Sequence, residues 1–200
     1  MISAILLAAG QSKRMNGENK LTKKIQDIPL IKHSVKNILS SSIDELIVVL
    51  GYQKEIIEKL IGKNEKIKIV FNKNFENGMA SSIKTGLNHF SEKTEAFFIC
   101  LGDMPLVNHN IYNQLIKSKG NKKIIVPTYK EQQGNPVLFD KSMKEKIMNI
   151  SGDAGAKKIL ELNKDKILNL EINDQSIVKG FNTQNDFNSL WFCYQDHEEV

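Results

Sequence analysis

A chain of 200 residues, 40% hydrophobic and 26% charged, has the size and balance of one α/β domain around a single core, which excludes a disordered or fibrous protein. With only Gly 12 and Pro 4, a collagen-like or linker-rich chain is excluded too. The 28 cationic residues exceed the 23 anionic ones by a net +5, yet the lysines are spread along the whole chain with no interleaved aromatics, which predicts a Lys-rich surface and no nucleic-acid partner.

Short apolar runs rich in Ile, Val and Phe read as buried strands at Ile2–Leu7, Glu45–Leu50, Ile67–Phe71, Ala96–Leu101 and Ile124–Val126. Between them Pro29–Leu39, Gln53–Ile61, Met79–Phe90 and Ile111–Lys117 carry apolar residues at helical spacing, with Pro29 suited to a first helical position. Strands apolar on both faces, alternating with helices, predict an α/β fold of three α-β-α layers on a mostly parallel, Rossmann-like sheet. After Val126 the rhythm changes. Shorter strands are expected in Pro127–Phe139, Lys166–Ile172 and Ile177–Val178, with helices at Asp140–Ile150 and Asp153–Leu162 and a last one from Gln184. No repeat or linker interrupts the chain, so residues 1–194 are expected to form one domain and 195–200 a frayed polar tail.

Cys100 and Cys193 lie far apart and form no C-x-x-C pair, which supports neither a disulfide framework nor a zinc knuckle. The apolar opening Met1–Ala9 is too short to span a membrane, and Lys13 and Arg14 follow it instead of preceding it, the reverse of a signal peptide. A cytoplasmic protein without membrane contact is expected. His33, His89, His109 and His197 read as surface or partly packed residues.

In an open parallel sheet, ligands collect outside the carboxyl ends of the strands, so those loops are the segments to inspect. The first, Ala8-Ala9-Gly10-Gln11-Ser12-Lys13-Arg14 on to Lys20, combines small residues with the one arginine of the chain and a lysine. Its backbone amides and two cations suit a polyphosphate, although neither G-x-G-x-x-G nor a P-loop is present; a flexible surface turn is the alternative. The second, Asn72 to Ser82, places Gly78, Ser81 and Ser82 at a helix start, which suits an anion, a base edge or plain N-capping. In the third, Asp103 sits between the strand ending at Leu101 and Pro105. A carboxylate there suits either a divalent cation shared with substrate phosphates or a turn cap.

Together these segments resemble the nucleotidyltransferases of molybdenum cofactor biosynthesis, and most closely the molybdenum cofactor cytidylyltransferases. Leu7-Ala8-Ala9-Gly10-x-Ser12-x-Arg14-Met15 with Asn19-Lys20-Leu21 is similar to the family's nucleotide loop. Asn72 through Gly78-Met79-x-Ser81-Ser82 resembles its second signature, and Leu101-Gly102-Asp103-Met104-Pro105 its metal-binding turn. Gly134-Asn135-Pro136 and Gly152-Asp153-x-Gly155 resemble its acceptor side. Two departures stand out: Asn16 replaces the usual Gly after Arg-Met, and Gly180-Phe181-Asn182-Thr183-Gln184 replaces Asp-x-Asp-Thr-Pro, so that Asn182 takes the place of a second metal ligand.

The resemblance implies the nucleotide-diphospho-sugar transferase-like fold and Mg²⁺-dependent transfer of CMP from CTP to the phosphate of molybdenum-loaded molybdopterin, releasing pyrophosphate. In that scheme Ala8, Ala9, Gly10, Ser12, Lys13, Gly78, Ser81 and Ser82 hold the nucleotide, and Arg14, Lys20 and Asp103 are catalytic. Asp103 and Asn182 ligate the metal, while Gly134, Asn135, Pro136, Gly152, Asp153 and Gly155 line the acceptor pocket. A molybdoenzyme or its chaperone is the implied transient partner. The alternatives are another nucleotidyltransferase acting on a sugar or polyol phosphate, or a non-catalytic protein that binds nucleotide and cofactor.

Overall fold

The computed structural model describes residues 1–15, 18–152, 157–183 and 185–187. Its central strand, β1 (Ile2–Ala8), is buried along most of its length because both faces of the sheet are covered. In chain order follow β2 (Lys24–Ile25), β3 (Ile28–Pro29), α1 (Leu30–Leu39), β4 (Glu45–Leu50), α2 (Lys54–Ile61) and β5 (Ile67–Phe71). Then come α3 (Met79–Leu87), β6 (Ala96–Leu101), α4 (His109–Ser118), β7 (Ile124–Tyr129), β8 (Gln132–Gln133) and β9 (Val137–Asp140). The described elements close with α5 (Lys144–Met148), α6 (Lys157–Leu162) and β10 (Ile167–Glu171).

The main sheet runs β10-β7-β9-β6-β1-β4-β5, with β8 paired to β7 and the small β2–β3 hairpin apart. β1 pairs in parallel with β4 and β6, so that Leu6 lies between Val48 and Cys100. Alternation along β1 sends Ala4, Leu6 and Ala8 into a core shared with α1, α2 and α4, and Ile5 into a second core under α3, α5 and α6. Each fully buried Ile or Leu on these faces contributes roughly 1.5–3 kcal/mol. The three expected layers are therefore present.

Apart from the β2–β3 hairpin, which the apolar pattern does not announce, the elements up to β7 fall where that pattern puts them, within three residues at each end. Pro29 is the N-cap of α1 and not its first helical residue. α4 starts at His109, two residues before the expected start, because the Asn108 side chain accepts from the amides of Asn110 and Ile111. α3 stops at Leu87, and Phe90 instead packs its ring against Phe97 at 5.5 Å.

The later half departs further. Pro127–Phe139 divides into β7, a tight turn with Lys130 and Glu131 at φ 49° and 67°, β8 and β9. Asp140 ends β9 and caps a 3-10 turn at Lys141–Met143, so the expected helix there is only α5. Ile177–Val178 is not a strand: Asp174 caps a 3-10 turn over Gln175–Val178 and Ile177 is fully buried. The expected tail at 195–200 and most of the last helix lie outside the described residues.

Candidate active site

Parallel pairing places the loops after β1, β5 and β6 on one edge of the sheet. There they enclose a cleft of about 370 Å³ lined by Ala8, Ala9, Gly10, Lys13, Arg14 and Lys20, by Gly78 and Ser82, and by Asp103 and Asn182. Ten of the expected site residues, from three loops and the segment after β10, thus share one space.

The cationic end is tightly knit. Lys20 Nζ donates to Asp103 Oδ2 and, at 2.9 Å, to Asn182 Oδ1, which also accepts from the Arg14 guanidinium at 2.9 Å. The lysine and aspartate side chains are only 18% and 14% exposed, so their attraction is screened less than at an open surface. Lys20 is aimed by its own turn: Asn19 accepts the Leu21 amide at 3.1 Å, and Ser12 Oγ accepts the Lys20 amide at 3.1 Å.

Asn182 is brought in from the far half of the chain by a short link, the Phe181 amide donating to the Asp103 carbonyl at 2.9 Å. Asp186 then fixes the segment, accepting from the amides of Asn182 and Thr183 and from the Thr183 hydroxyl. Burial would raise the Asp186 pKa, but those hydrogen bonds and the Arg14 guanidinium outweigh it and hold the carboxyl below its ordinary value.

Two expected nucleotide-loop residues have other duties. Ser12, at φ 52°, staples the loop through Lys20, and Ser81 accepts from Asn72 Nδ2 at 2.8 Å while donating to the carbonyls of Asn74 and Gly78. Asn72, buried after β5, also donates to Ser82 at 3.0 Å. The serines are anchored by Asn72, and neither acts as the N-cap of α3.

Of the expected acceptor residues, the described Gly134, Asn135, Pro136 and Gly152 do not line this cleft. Gly134 packs against Ile177, where an added Cβ would meet the Ile177 carbonyl oxygen at 2.5 Å, and the Asn135 amide donates to that same carbonyl. Pro136 follows through a cis peptide bond. Gly152 accepts the Ala80 amide at the start of α3. Asp153 and Gly155 lie outside the described residues.

Sequence reasoning missed Gln11, Phe75, Glu76 and Met79 as lining residues. Phe75 reaches the cleft because Gly51 carries no Cβ; one added there would stand 2.7 Å from both the Ala9 carbonyl and the Phe75 Cβ. The Ala9 methyl faces the same spot, 2.8 Å from it. A glycine directly after a buried strand, beside another strand's loop, was the available signal.

Among the described residues no group of three or more His, Cys, Asp and Glu is placed to hold a metal by itself. Asp103 and Asn182 nevertheless offer a carboxylate and an amide oxygen side by side, hard donors that fit Mg²⁺ when substrate phosphates and water complete the shell. Lys20 donates to Asp103 Oδ2, and Lys20 and Arg14 both donate to Asn182 Oδ1, so a cation that took these two oxygens would displace them toward the phosphates. Among the described residues no helix is long and apolar enough to cross a membrane.

The MobA-like NTP transferase domain model matches residues 4–168. A probable molybdenum cofactor guanylyltransferase of Thermococcus sibiricus is 30% identical over 139 residues, covering 66% of this chain and 65% of that protein. A 2-C-methyl-D-erythritol 4-phosphate cytidylyltransferase of Clostridioides difficile is 30% identical over 153 residues, covering 72% and 62%. The chain thus spans less than two thirds of the length of the curated relatives it matches. A nucleotidyl transferase from Methanothermobacter thermautotroptrophicus superposes with a TM-score of 0.85 over 98% of both chains at 18% identity, which shows a shared fold.

Proposed function

The chain belongs to the MobA-like NTP transferase domain family, and from that membership we propose that it moves CMP from CTP to the phosphate of molybdenum-loaded molybdopterin, releasing pyrophosphate. The observation that carries this reading is the convergence of Lys20, Arg14, Asp103 and Asn182 in one cleft.

Transfer requires in-line attack by an acceptor phosphate oxygen on the α-phosphorus, which calls for positioning and charge neutralisation more than covalent help. The acceptor phosphate, with a second pKa of about 6, is already anionic at neutral pH and needs no general base. That fits a cleft whose lining, among the described residues, contains no histidine and no cysteine. The attack forms a P–O bond to the acceptor and breaks the bond to the β-phosphate, which leaves as pyrophosphate.

In this reading the backbone of Ala8–Lys13 holds the nucleotide, with Gly78 and Ser82 flanking it. Arg14 and Lys20 leave Asn182 and Asp103 to meet the charge on the departing β- and γ-phosphates. Mg²⁺ bound by Asp103 and Asn182 would neutralise the phosphates and hold the reacting oxygens in place. Choice of CTP rests on the likeness of Ala8-Ala9-Gly10 to the cytidylyl branch, and a single methyl group at Ala9 is worth only ~1–3 kcal/mol of discrimination.

Purified protein, Mg²⁺, molybdenum-loaded molybdopterin and equal CTP and GTP form the direct test. Mg²⁺-dependent pyrophosphate release with CTP consumed first is expected. GTP consumed first overturns the donor, in line with the Thermococcus relative, and no release with any nucleotide overturns the transfer. The Clostridioides relative favours a second reading, a polyol phosphate acceptor. Labelled CTP offered both acceptors separates the two.

A further inference from the structure

We propose that Glu76, held in place by Gln11, accepts a hydrogen bond from an exocyclic amine on the nucleobase, so that the cleft takes amine-bearing nucleotides and turns away uridine and thymidine nucleotides. This inference rests on the nucleotide-donor reading above.

The two walls of the cleft differ in charge. Among the described residues its cations, Lys13, Arg14 and Lys20, all come from the loop after β1, whereas the opposing loop contributes Phe75, Glu76, Gly78, Met79 and Ser82, with a carboxylate and no cation. A triphosphate is drawn to the first wall and repelled by Glu76. The base is therefore the part of the nucleotide that meets Glu76, and Phe75 and Met79 offer it an apolar and aromatic surface.

Glu76 sits in the 3-10 turn Phe75–Asn77, and its Oε1 accepts from Gln11 Nε2 at 3.0 Å. That bond joins the two loops across the cleft and fixes where the carboxylate lies before a ligand arrives, which lowers the cost of ordering it on binding. An ionised carboxylate accepts and never donates. Cytosine and adenine bring one amine to such a group, and guanine brings an amine beside a ring N–H. Uracil and thymine bring carbonyl oxygens on both sides of their single N–H, which a carboxylate repels. Gln11 acts through Glu76 and is a positioning residue.

The test is equilibrium binding, with Mg²⁺ and no acceptor, of CTP, GTP, UTP and inorganic tripolyphosphate to the wild-type protein, Glu76→Gln and Gln11→Ala. The wild type is expected to hold CTP or GTP about tenfold or more tighter than UTP, as one charge-assisted hydrogen bond allows. Glu76→Gln should bring that ratio close to one by weakening the amine-bearing nucleotide, with tripolyphosphate binding little changed. Gln11→Ala, on the other loop, should move the ratio the same way by less. The CTP and GTP arms tell which amine is read.

An unchanged ratio in Glu76→Gln, an equal loss for all four ligands, or a wild type that holds UTP as tightly as CTP and GTP overturns the proposal. A wild type that binds tripolyphosphate but shows no preference among bases overturns it alone. One that binds none of the four overturns the donor reading with it.

Discussion

From β5 through β4 and β1 to β6 every neighbouring pair of strands is parallel, whereas β9 enters antiparallel between β6 and β7, and β10 pairs with β7 at the far edge. The first arrangement returns each strand in the same direction, so the loops after β1, β5 and β6 fall on one edge and share a cleft. The second spreads its turns to both edges. From the described residues after β6 and its turn, only Asn182 reaches the cleft, tied there through Phe181 and Asp186. The parallel half supplies most of the site because its geometry stacks loops; among the described residues the mixed half supplies the one amide side chain of Asn182.

Removing groups from the parallel half should break the activity most. Asp103→Ala is expected to lower turnover by at least about a hundredfold, and Lys20→Ala by a similar factor, as loss of a preorganised charge partner does. For Asp103→Ala thermal unfolding should shift by no more than about 4 °C, because the pair is partly exposed and Asn182 still accepts from Lys20. Full activity in Asp103→Ala would remove that carboxylate from the reaction.

The contribution of the mixed half is expected to be smaller and tunable. Asn182→Ala should cost roughly tenfold in turnover, since it removes an oxygen but leaves Asp103. Asn182→Asp should instead lower the Mg²⁺ concentration for half-maximal activity several-fold, because a second carboxylate adds charge to the donor set. A Mg²⁺ titration that is the same for the wild type and the Asn182→Asp variant would take position 182 out of metal binding.

The smallest effect lies away from the cleft. Burial would raise the pKa of Asp140, but hydrogen bonds from Ser142 and from the Lys119 and Lys123 ammonium groups outweigh it, and the carboxyl is held well below the ordinary range. A depressed folded-state pKa gives stability that is fully present above ~pH 5 and is lost as the pH falls below the unfolded value of about 3.9. Unfolding temperatures measured between pH 6 and pH 3 should therefore fall more steeply for the wild type than for Asp140→Asn. Parallel curves would show that Asp140 contributes nothing pH-dependent.

Much of the first half was legible because strands buried on both faces are continuously apolar and the helices between them are amphipathic. β4, β5 and β6 occupy their expected spans without change. The β7–β8 hairpin was hidden because Lys130 and Glu131 take positive φ in its turn, where glycine or asparagine would have announced it. Ile177–Val178 looked like a strand because it is an isolated apolar pair, and a 3-10 turn accommodates such a pair equally well. Asp186 gave no signal, since an aspartate that caps a backbone segment looks like any surface aspartate until the segment folds.

The sequence by itself determined the α/β layering, the loop holding Arg14 and Lys20, and the turn holding Asp103, because apolar periodicity and small-residue loops are local properties of the chain. Only the tertiary structure decided that Lys20 and Asn182 meet Asp103, that Gly134 serves packing against Ile177, and that Glu76 faces the cleft beside Gln11. Those relations join residues up to 162 positions apart. They arise from strand register and loop packing, which fix distances that no local pattern encodes.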